Sequence, residues 1–198
     1  MEPIILVDSG HGGMINGQYV TAPRKMYDHG QHGIAYEGVI NRQVKKAVMK
    51  YMDLEGIRYI DVCPTELDVD LDTRVNVINN YCDEYGKDNC LLISLHSNAG
   101  KGSGFEIWTS PGATKSDVYA TQFMSEFQKS FPGIQLRKDM TDGDVDKESA
   151  FYILVNSKCP AILPEWLFFD NLKDFRIISD RKQQLLYANM IVNFAKKL

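Results

Sequence analysis

Two histidines and two glutamates stand where predicted strands end or a predicted helix begins. His11 follows the first predicted strand, and His96 is the last residue of the third. Glu37 opens the first long predicted helix, and Glu165 ends a late apolar strand. Strand–helix–strand crossovers make such strands parallel, so their carboxyl ends share one sheet edge, where ligands bind in open α/β folds. We therefore expect all four side chains to lie on one rim.

These residue types suit metal-assisted hydrolysis. Two histidines and one carboxylate are a typical ligand set for a catalytic Zn²⁺, which keeps a fourth position open for water. Such an ion lowers the pKa of its water toward about 7. A second glutamate nearby can carry the water's proton to a leaving nitrogen. Singly, each residue has an ordinary explanation, such as a glutamate favoured by a helix dipole. Their joint placement on one rim favours the metal site.

His29 and His32 are rival candidates for metal ligands because both are close in sequence to Glu37. They lie in a long, glycine-rich polar stretch from residue 9 to about residue 35 that has no clear periodicity. Irregular loops of this length are uncommon in compact domains and usually functional. In such a loop, a solvated histidine or a contact with substrate is the favoured interpretation.

Two acidic runs, residues 68–72 and 142–146, resemble the beginnings of calcium-binding loops. In each run aspartate alternates with another residue. Neither run is followed by the glycine and the glutamate that an EF-hand loop requires at fixed positions. We therefore interpret both runs as solvated acidic turns.

The apolar periodicity predicts strands that alternate with helices. The predicted strands cover residues 3–8, 57–62, 91–96, 104–109, 134–137 and 161–165, and the predicted helices cover 36–54, 71–85, 115–131, 149–156 and 181–197. No internal repeat or low-complexity linker interrupts the pattern. We predict one α/β domain over residues 1–198, with a twisted, mostly parallel sheet of about six strands flanked by helices.

The composition is that of an ordinary globular protein, with 44% apolar and 24% charged residues. The net charge of −4 argues against nucleic acid as a partner. No apolar run approaches the roughly 18 residues that a membrane span requires. The four cysteines form no CxxC pair, which favours buried free thiols over disulfides or a thiolate metal site.

Five short segments carry motifs in a fixed order along the chain. They are residues 7–13 (VDSGHGG), 36–38 (YEG) followed by Asn41, 71–74 (LDTR), 94–99 (SLHSNA) and 164–171 (PEWLFFDN). Together they resemble the zinc amidases known as amidase type 3. The resemblance covers nearly the whole chain, and the HGG and HSNA segments are fairly specific in combination.

The resemblance implies one Zn²⁺ per chain, with His11, Glu37 and His96 as ligands and Glu165 as the catalytic acid/base. It implies hydrolysis of the amide between N-acetylmuramic acid and L-alanine in peptidoglycan. Two alternatives are a zinc peptidase that cuts within the stem peptide and a catalytically inactive wall-binding module. The module is disfavoured because all four positions hold residues competent for the chemistry.

Four polar residues are candidate substrate contacts: Arg24, Lys25, Arg74 and Asn98. Arg24 and Lys25 belong to residues 14–35, which we expect to form a wall of the site because the segment leaves and re-enters the fold at the rim. Arg74 has a second interpretation, which is bracing of its own helix. Asn98 also has one, which is orientation of other rim groups.

The N-terminal residues lack the basic segment and long apolar core of a signal peptide. With the resemblance, this favours an enzyme made in the cytoplasm that acts at the cell wall, as a released phage endolysin does. A bacterial enzyme whose leader lies outside this sequence is the alternative. No sequence feature specifies an oligomeric state.

Overall fold

The computed structural model describes residues 2–198, and a six-stranded sheet forms the framework of this part of the chain. The strands are β1 (Ile4–Ser9), β2 (Met14–Ile15), β3 (Gln18–Tyr19), β4 (Met26–Asp28), β5 (Ile34–Tyr36), β6 (Tyr59–Asp61), β7 (Cys90–Asn98), β8 (Glu106–Thr109), β9 (Lys147–Glu148) and β10 (Ala161–Phe168). The helices are α1 (Glu37–Glu55), α2 (Leu71–Tyr85), α3 (Lys115–Ser130), α4 (Tyr152–Asn156), α5 (Leu172–Ile178) and α6 (Arg181–Ala195).

The main sheet has the strand order β6–β1–β7–β10–β8–β9. Strands β6, β1, β7 and β10 run parallel to one another, β8 is antiparallel to β10, and β9 is parallel to β8. This confirms the predicted α/β fold with a mostly parallel sheet of six strands. The carboxyl ends of the four parallel strands therefore meet at one edge, where the site residues are expected.

Strand β1 shows how the sheet divides the interior into two cores. All six of its residues are buried. Ile5 and Val7 pack with apolar residues of α1, α3 and α6, whereas Ile4 and Leu6 pack with those of α2 and α4. Because successive strand side chains point to opposite faces, the helices form one layer on each side of the sheet. A strand covered on both faces is apolar throughout, as β1 is.

The ends of the long helices follow local chemistry. Helix α2 has the predicted bounds, and the Asp70 side chain caps it by accepting a hydrogen bond from the Thr73 amide. Helix α1 ends at Gly56, whose φ of 69° lies in the left-handed region that glycine adopts without strain. In α3, Thr114 and Asp117 form a reciprocal capping box.

Some predicted boundaries are wrong. Residues 134–137 form no strand, because their extended backbone makes only a single bridge, between Phe105 and Leu136. The helix predicted over 149–156 begins only at Tyr152. Strand β7 extends beyond its predicted carboxyl end because the polar residues Ser97 and Asn98 continue the ladder after the apolar pattern stops. Strand β10 continues past Glu165 through three buried apolar residues to Phe168.

The long stretch before α1 has more structure than the sequence predicts. Strands β2 and β3 form one antiparallel hairpin, β4 and β5 form a second, and a 3₁₀ turn lies at Gly30–His32. Their two- and three-residue pairings are too short to impose a periodicity on the sequence. Helix α5 was not predicted either, although Asn171 caps it by accepting from the Lys173 and Asp174 amides.

Candidate metal centre

Three side chains from separate parts of the chain meet at the carboxyl edge of the sheet. His11 follows β1, Glu37 is the first residue of α1, and His96 lies in β7. Their potential ligand atoms all lie within 4.8 Å of one another. Glu37 Oε1 is 3.2 Å from His11 Nε2 and 3.1 Å from His96 Nδ1. The three side chains therefore face a common point.

This spacing fits a tetrahedral zinc ion. Ligand atoms 2.0–2.1 Å from zinc at tetrahedral angles lie roughly 3.3 Å apart, close to both measured distances. His11 Nε2 and Glu37 Oε2 are buried and have no hydrogen-bond partner among the described residues. Buried polar atoms without a partner are costly unless a ligand satisfies them. The residues present thus fit a metal ion.

The charge states of the three groups also suit a metal. Burial lowers the pKa of His11, which favours the neutral ring that a metal requires. Burial alone would raise the pKa of Glu37, but the adjacent rings of His11 and His96 outweigh it and hold that pKa well below its usual range. Burial would lower the pKa of His96, but contact with Glu37 raises it overall. Glu37 is therefore a carboxylate that lies between two imidazoles.

Glu165 stands beside these three side chains. Its Cα pairs with that of His96 in the parallel ladder between β10 and β7. The prediction that Glu165 ends its strand is wrong, because β10 continues to Phe168. The register becomes irregular beyond Glu165, where Leu167 has a φ of 60°. The continuation itself is apolar, and the prediction ended the strand at the charged residue Glu165 that precedes it.

The environment of Glu165 shifts its ionisation toward neutral pH. Burial raises the pKa of Glu165 to about 7, with His96 opposing the shift and the Glu37 carboxylate adding to it. Its Oε2 atom is buried and has no hydrogen-bond partner in the described chain. A carboxyl group that titrates near neutrality can both accept and donate a proton at the operating pH.

Two buried arginines hold the backbone at His11. Arg42 donates through Nη1, and Arg74 through Nη2 at 3.2 Å, to the His11 carbonyl oxygen. His11 has a φ of 63°, a left-handed conformation that costs a residue with a Cβ roughly 1–2 kcal/mol. The two guanidinium groups fix this conformation and so aim the imidazole at Glu37.

Two glycines allow the site elements to approach closely. A Cβ built on Gly10 would lie 2.1 Å from His96 Cε1, so a side chain here would displace the ring. A Cβ on Gly38 would lie 1.9 Å from the Gly12 carbonyl oxygen. Glycine at these positions lets the start of α1 and the end of β1 bring Glu37 within reach of both imidazoles.

The rival histidines lie outside the three-residue cluster. His29 Nε2 hydrogen-bonds to the Phe169 carbonyl oxygen at 2.9 Å, and the ring stacks on Phe175 with centroids 4.6 Å apart. His32 is exposed in the 3₁₀ turn. The contacts of His29 are those of a structural side chain that fastens the loop to α5.

The two acidic runs have different environments. In the first, Asp70 caps α2, and Asp72 accepts a hydrogen bond from the Tyr152 hydroxyl. In the second, Asp146 is only 2% exposed, so its interpretation as a solvated turn is wrong. Asp146 immediately precedes the edge strand β9, and Thr109 Oγ1 donates to its Oδ2 at 2.6 Å.

Residues 14–35 border a groove beside the metal-type cluster. Two adjoining cavities of about 380 and 240 Å³ are both lined by His96 and Lys25, and Arg24 lines the larger one. Lys25 Nζ lies 3.7 Å from Glu37 Oε2. Both basic side chains are exposed. The segment thus brings two exposed cations to the open side of the cluster, one of which pairs with Glu37.

The hydroxyl of Tyr19 fastens this segment to α1. It accepts a hydrogen bond from the Gly38 amide at 3.0 Å and donates one to the Lys25 carbonyl at 3.1 Å. The Glu37 amide also donates to the Lys25 carbonyl, at 3.0 Å. The backbone at Lys25 is therefore tied to the helix that begins with Glu37.

Arg74, a predicted substrate contact, is buried and engaged by the protein itself. Its Nη1 lies 2.6 Å from Asp8 Oδ1 and 2.7 Å from the Ser9 carbonyl, and its Nε donates to the Val69 carbonyl at 3.0 Å. These contacts support the bracing interpretation. Asn98 Nδ2 donates to a Glu106 carboxylate oxygen at 2.6 Å, and its role as a substrate contact stays a prediction.

Sequence reasoning missed two basic residues on the buried side of α1. Arg42 and Lys45 are both 3% exposed at the side chain. Lys45 Nζ donates to Asp61 Oδ1 and to the Cys63 carbonyl, each at 2.7 Å. The available signal was their position among apolar residues on the core-facing side of an amphipathic helix, where a cation must find buried acceptors.

Fold and site define a class of protein: an α/β chain with a histidine–glutamate metal-ligand set at the carboxyl edge of a mostly parallel sheet. The family model of N-acetylmuramoyl-L-alanine amidases matches residues 5–197. The chain belongs to this family.

The curated relatives that the chain matches include a named amidase. N-acetylmuramoyl-L-alanine amidase CwlM of Bacillus licheniformis is 25% identical over 171 residues, 86% of this chain and 58% of that protein. An uncharacterized protein of Clostridium perfringens is 29% identical over 164 residues, 79% of this chain and 45% of that protein. The chain thus spans about half the length of the curated relatives it matches.

Solved structures share the fold. The N-acetylmuramoyl-L-alanine amidase from Clostridium difficile 630 superposes with a TM-score of 0.75 at 24% identity, covering 100% of this chain and 97% of that one. The amidase AmiC2 of Nostoc punctiforme gives a TM-score of 0.74 at 18% identity, covering 100% of this chain and 97% of that one.

Among the described residues, no helix has the length and apolar character needed to cross a bilayer.

Proposed function

We propose that this chain is a zinc-dependent N-acetylmuramoyl-L-alanine amidase, which hydrolyses the amide between N-acetylmuramic acid and L-alanine in peptidoglycan. His11, Glu37 and His96 hold one Zn²⁺, and Glu165 is the catalytic acid/base. The observation that carries the proposal is the convergence of three ligand atoms within 4.8 Å beside a carboxyl group shifted toward neutral pH. Family membership supplies the class of bond.

When held by His11, Glu37 and His96, a Zn²⁺ ion would supply Lewis-acid chemistry at the scissile carbonyl and would activate a water for the attack. A residue of the chain, Glu165, transfers the proton. Glu165 in its carboxylate form accepts a proton from the attacking water. The resulting carboxylic acid donates that proton to the L-alanine nitrogen as the C–N bond breaks, which releases a neutral amine. The same group ends the cycle as a carboxylate, ready for the next substrate.

The groove supports a polymeric substrate. Its two cavities are open to solvent along residues 14–35 on one side and along Phe151 and Tyr152 on the other. Stem peptides carry carboxylates, which the exposed Arg24 and Lys25 attract. Both wall segments rise from the edge that holds the cluster, so a long chain can pass across it without entering a closed pocket.

We further propose that residues 1–198 form one catalytic domain whose substrate lies in the cell wall. Synthesis in the cytoplasm and release to the wall, as for an endolysin, remain predictions. The same holds for Arg24, Lys25 and Asn98 as substrate contacts.

The bond that is cut tests the proposal directly. The zinc-loaded chain should digest purified sacculi to free peptides that begin with L-alanine, with intact glycan strands and no new reducing sugar ends, as measured by mass spectrometry. Products cut within the stem peptide, with the muramoyl–alanine bond intact, would point to a zinc peptidase. Wall binding without hydrolysis by the zinc-loaded chain would point to an inactive binding module.

The metal is tested by elemental analysis of purified variants. The chain should contain about one zinc per molecule, and chelation should abolish activity until zinc is restored. His11→Ala should lose zinc, whereas the matched control His32→Ala should keep it. The opposite pattern would refute the ligand set.

A further inference from the structure

A second group of carboxylates lies outside the catalytic cluster. Asp117 near the start of α3, and Asp144 and Asp146 before β9, place their carboxylate oxygens within 4.8 Å of one another. Residues 142–146 are the acidic run that resembles the beginning of a calcium-binding loop in sequence. The third member, Asp117, comes from a helix 25 or more residues earlier, so an EF-hand comparison could not find it.

Two oxygens of this group are buried and have no partner. Asp146 is 2% exposed, and Thr109 Oγ1 satisfies only its Oδ2. Its Oδ1 and Asp144 Oδ1 are buried without a hydrogen-bond partner in the described chain. Asp117 already accepts from the Thr114 amide and hydroxyl, at 2.6 and 3.0 Å. Buried carboxylate oxygens without donors are costly, so their orientation toward one point indicates a ligand there.

The nearby basic residues do not neutralise this group. Lys147 and Arg137 both pair with Glu106, at 2.8 and 2.7 Å, and Lys115 pairs with Asp88 at 2.6 Å. No ion pair within residues 2–198 includes a member of the acidic group. The start of α3 contributes only about half a positive charge through the helix dipole, which three carboxylates outweigh.

We infer that Asp117, Asp144 and Asp146 form a structural site for a divalent cation that prefers oxygen ligands, and that Ca²⁺ fits it best. Ca²⁺ accepts carboxylate oxygens in a flexible, irregular geometry, whereas Mg²⁺ demands near-ideal octahedral geometry and keeps most of its waters. Water completes the coordination on the partly exposed side of Asp144. The ion joins the segment before β9 to the beginning of α3.

A proton shared between the carboxylates of Asp144 and Asp146 is the alternative to a bound cation, because it would also reduce the repulsion between them. Burial, together with the neighbouring Asp144, raises the pKa of Asp146 to about 7, against the hydrogen bond from Thr109. The proton and the cation compete for the same oxygens. A measurement at pH 8, where the proton is disfavoured, separates the two.

The test uses the full zinc-loaded chain in calcium-free buffer at pH 8. Isothermal titration with CaCl₂ should give one site per chain, and the Tm should rise by about 5–10 °C when Ca²⁺ is a hundredfold above its Kd. MgCl₂ should give a smaller shift. The double variant D144N/D146N should lose both the heat and the shift. Asp142→Asn, an exposed aspartate of the same run, is the matched control and should keep both.

Three outcomes would overturn the inference. The first is a wild-type chain that gives neither heat nor a Tm shift with Ca²⁺. The second is a D144N/D146N variant that still binds one Ca²⁺, since the ion would then lie elsewhere. The third is an Asp146→Asn variant whose Tm is raised, together with a wild-type chain whose Tm does not change when Ca²⁺ is added. That result would assign the crowding of the carboxylates to a shared proton. If the double variant does not fold, the single variant Asp144→Asn supplies the same comparison.

Discussion

Replacing Arg74 by alanine isolates a buried carboxylate next to the site. Asp8 is 1% exposed, and its Oδ1 lies 2.6 Å from Arg74 Nη1. Its other oxygen accepts from Ser94 Oγ at 2.7 Å. In Arg74→Ala the carboxylate keeps this hydroxyl and loses its ion-pair partner, while the carbonyls of Ser9 and His11 lose a donor.

We expect Arg74→Ala to lower the free energy of unfolding by about 3–5 kcal/mol, as when one partner of a buried ion pair is removed. A carbonyl that keeps no other donor would cost about 1–3 kcal/mol in a dry site, whereas the His11 carbonyl still accepts from Arg42. Water that enters the vacated space rehydrates these groups, so the costs do not add. The loss is large compared with the roughly 5–15 kcal/mol that stabilises a typical domain. Arg74→Lys keeps the charge without the planar fork and should lose less.

Urea denaturation at several pH values measures this effect and its sign. Burial would raise the pKa of Asp8, but Arg74 outweighs it and holds that pKa below its usual range. A lowered folded-state pKa adds stability above the unfolded value, and this stability is lost as pH falls. In Arg74→Ala burial prevails, so the charged form is disfavoured. The deficit of the variant should be full well above the raised Asp8 pKa. It should begin to narrow as pH falls through that pKa, above about 4, and should go on narrowing until Asp8 of the wild-type chain is also protonated.

Arg24→Ala is the control for this experiment, because Arg24 is exposed and should change stability by less than about 0.5 kcal/mol. An Arg74→Ala variant with wild-type stability and a raised KM would refute the bracing role. It would restore Arg74 as a contact for substrate.

Three further predictions concern the reaction. Glu165→Gln should keep its zinc and lose about 10²-fold in kcat, measured by peptide release and elemental analysis; loss of the metal would instead make Glu165 a ligand. Gly10→Ala places a Cβ 2.1 Å from a His96 ring atom. Competition with a chelator should therefore show that the variant binds zinc about 10–100-fold more weakly. An unchanged zinc affinity would contradict the packing argument. Alanine at both Arg24 and Lys25 should raise KM several-fold, about 0.2–1 kcal/mol per exposed charge, and barely change the Tm; a variant that fails to fold would show that the segment is structural.

The sequence was sufficient to predict the framework and the meeting of distant residues. Long apolar runs and amphipathic helices have strong periods, and the handedness of parallel crossovers then determines which strand ends share an edge. This rule predicts that His11, Glu37 and His96 lie at the same edge of the sheet. Helix α2 was predicted to the residue because Asp70 provides a cap and Gly86 a stop.

What the sequence could not supply depends on contacts between distant residues. The continuation of β10 past Glu165 is apolar, but the charged Glu165 interrupts the run and the register becomes irregular beyond it. Burial of Asp146 depends on β9 joining the sheet edge, and a two-residue strand leaves no periodicity to detect. Arg42 looks like an ordinary helical cation until the His11 carbonyl is known to lie against it.

The strand order of the main sheet also affects whether copies of the chain can associate through its edges at high concentration. Its outermost strands, β6 and β9, have only three and two residues. Each outer margin therefore offers few unpaired backbone groups on which another chain could add a strand. Asp61 in β6 and both residues of β9, Lys147 and Glu148, are charged, which further opposes edge-to-edge association. We expect the folded chain to resist aggregation through its sheet even when it accumulates to high local concentration.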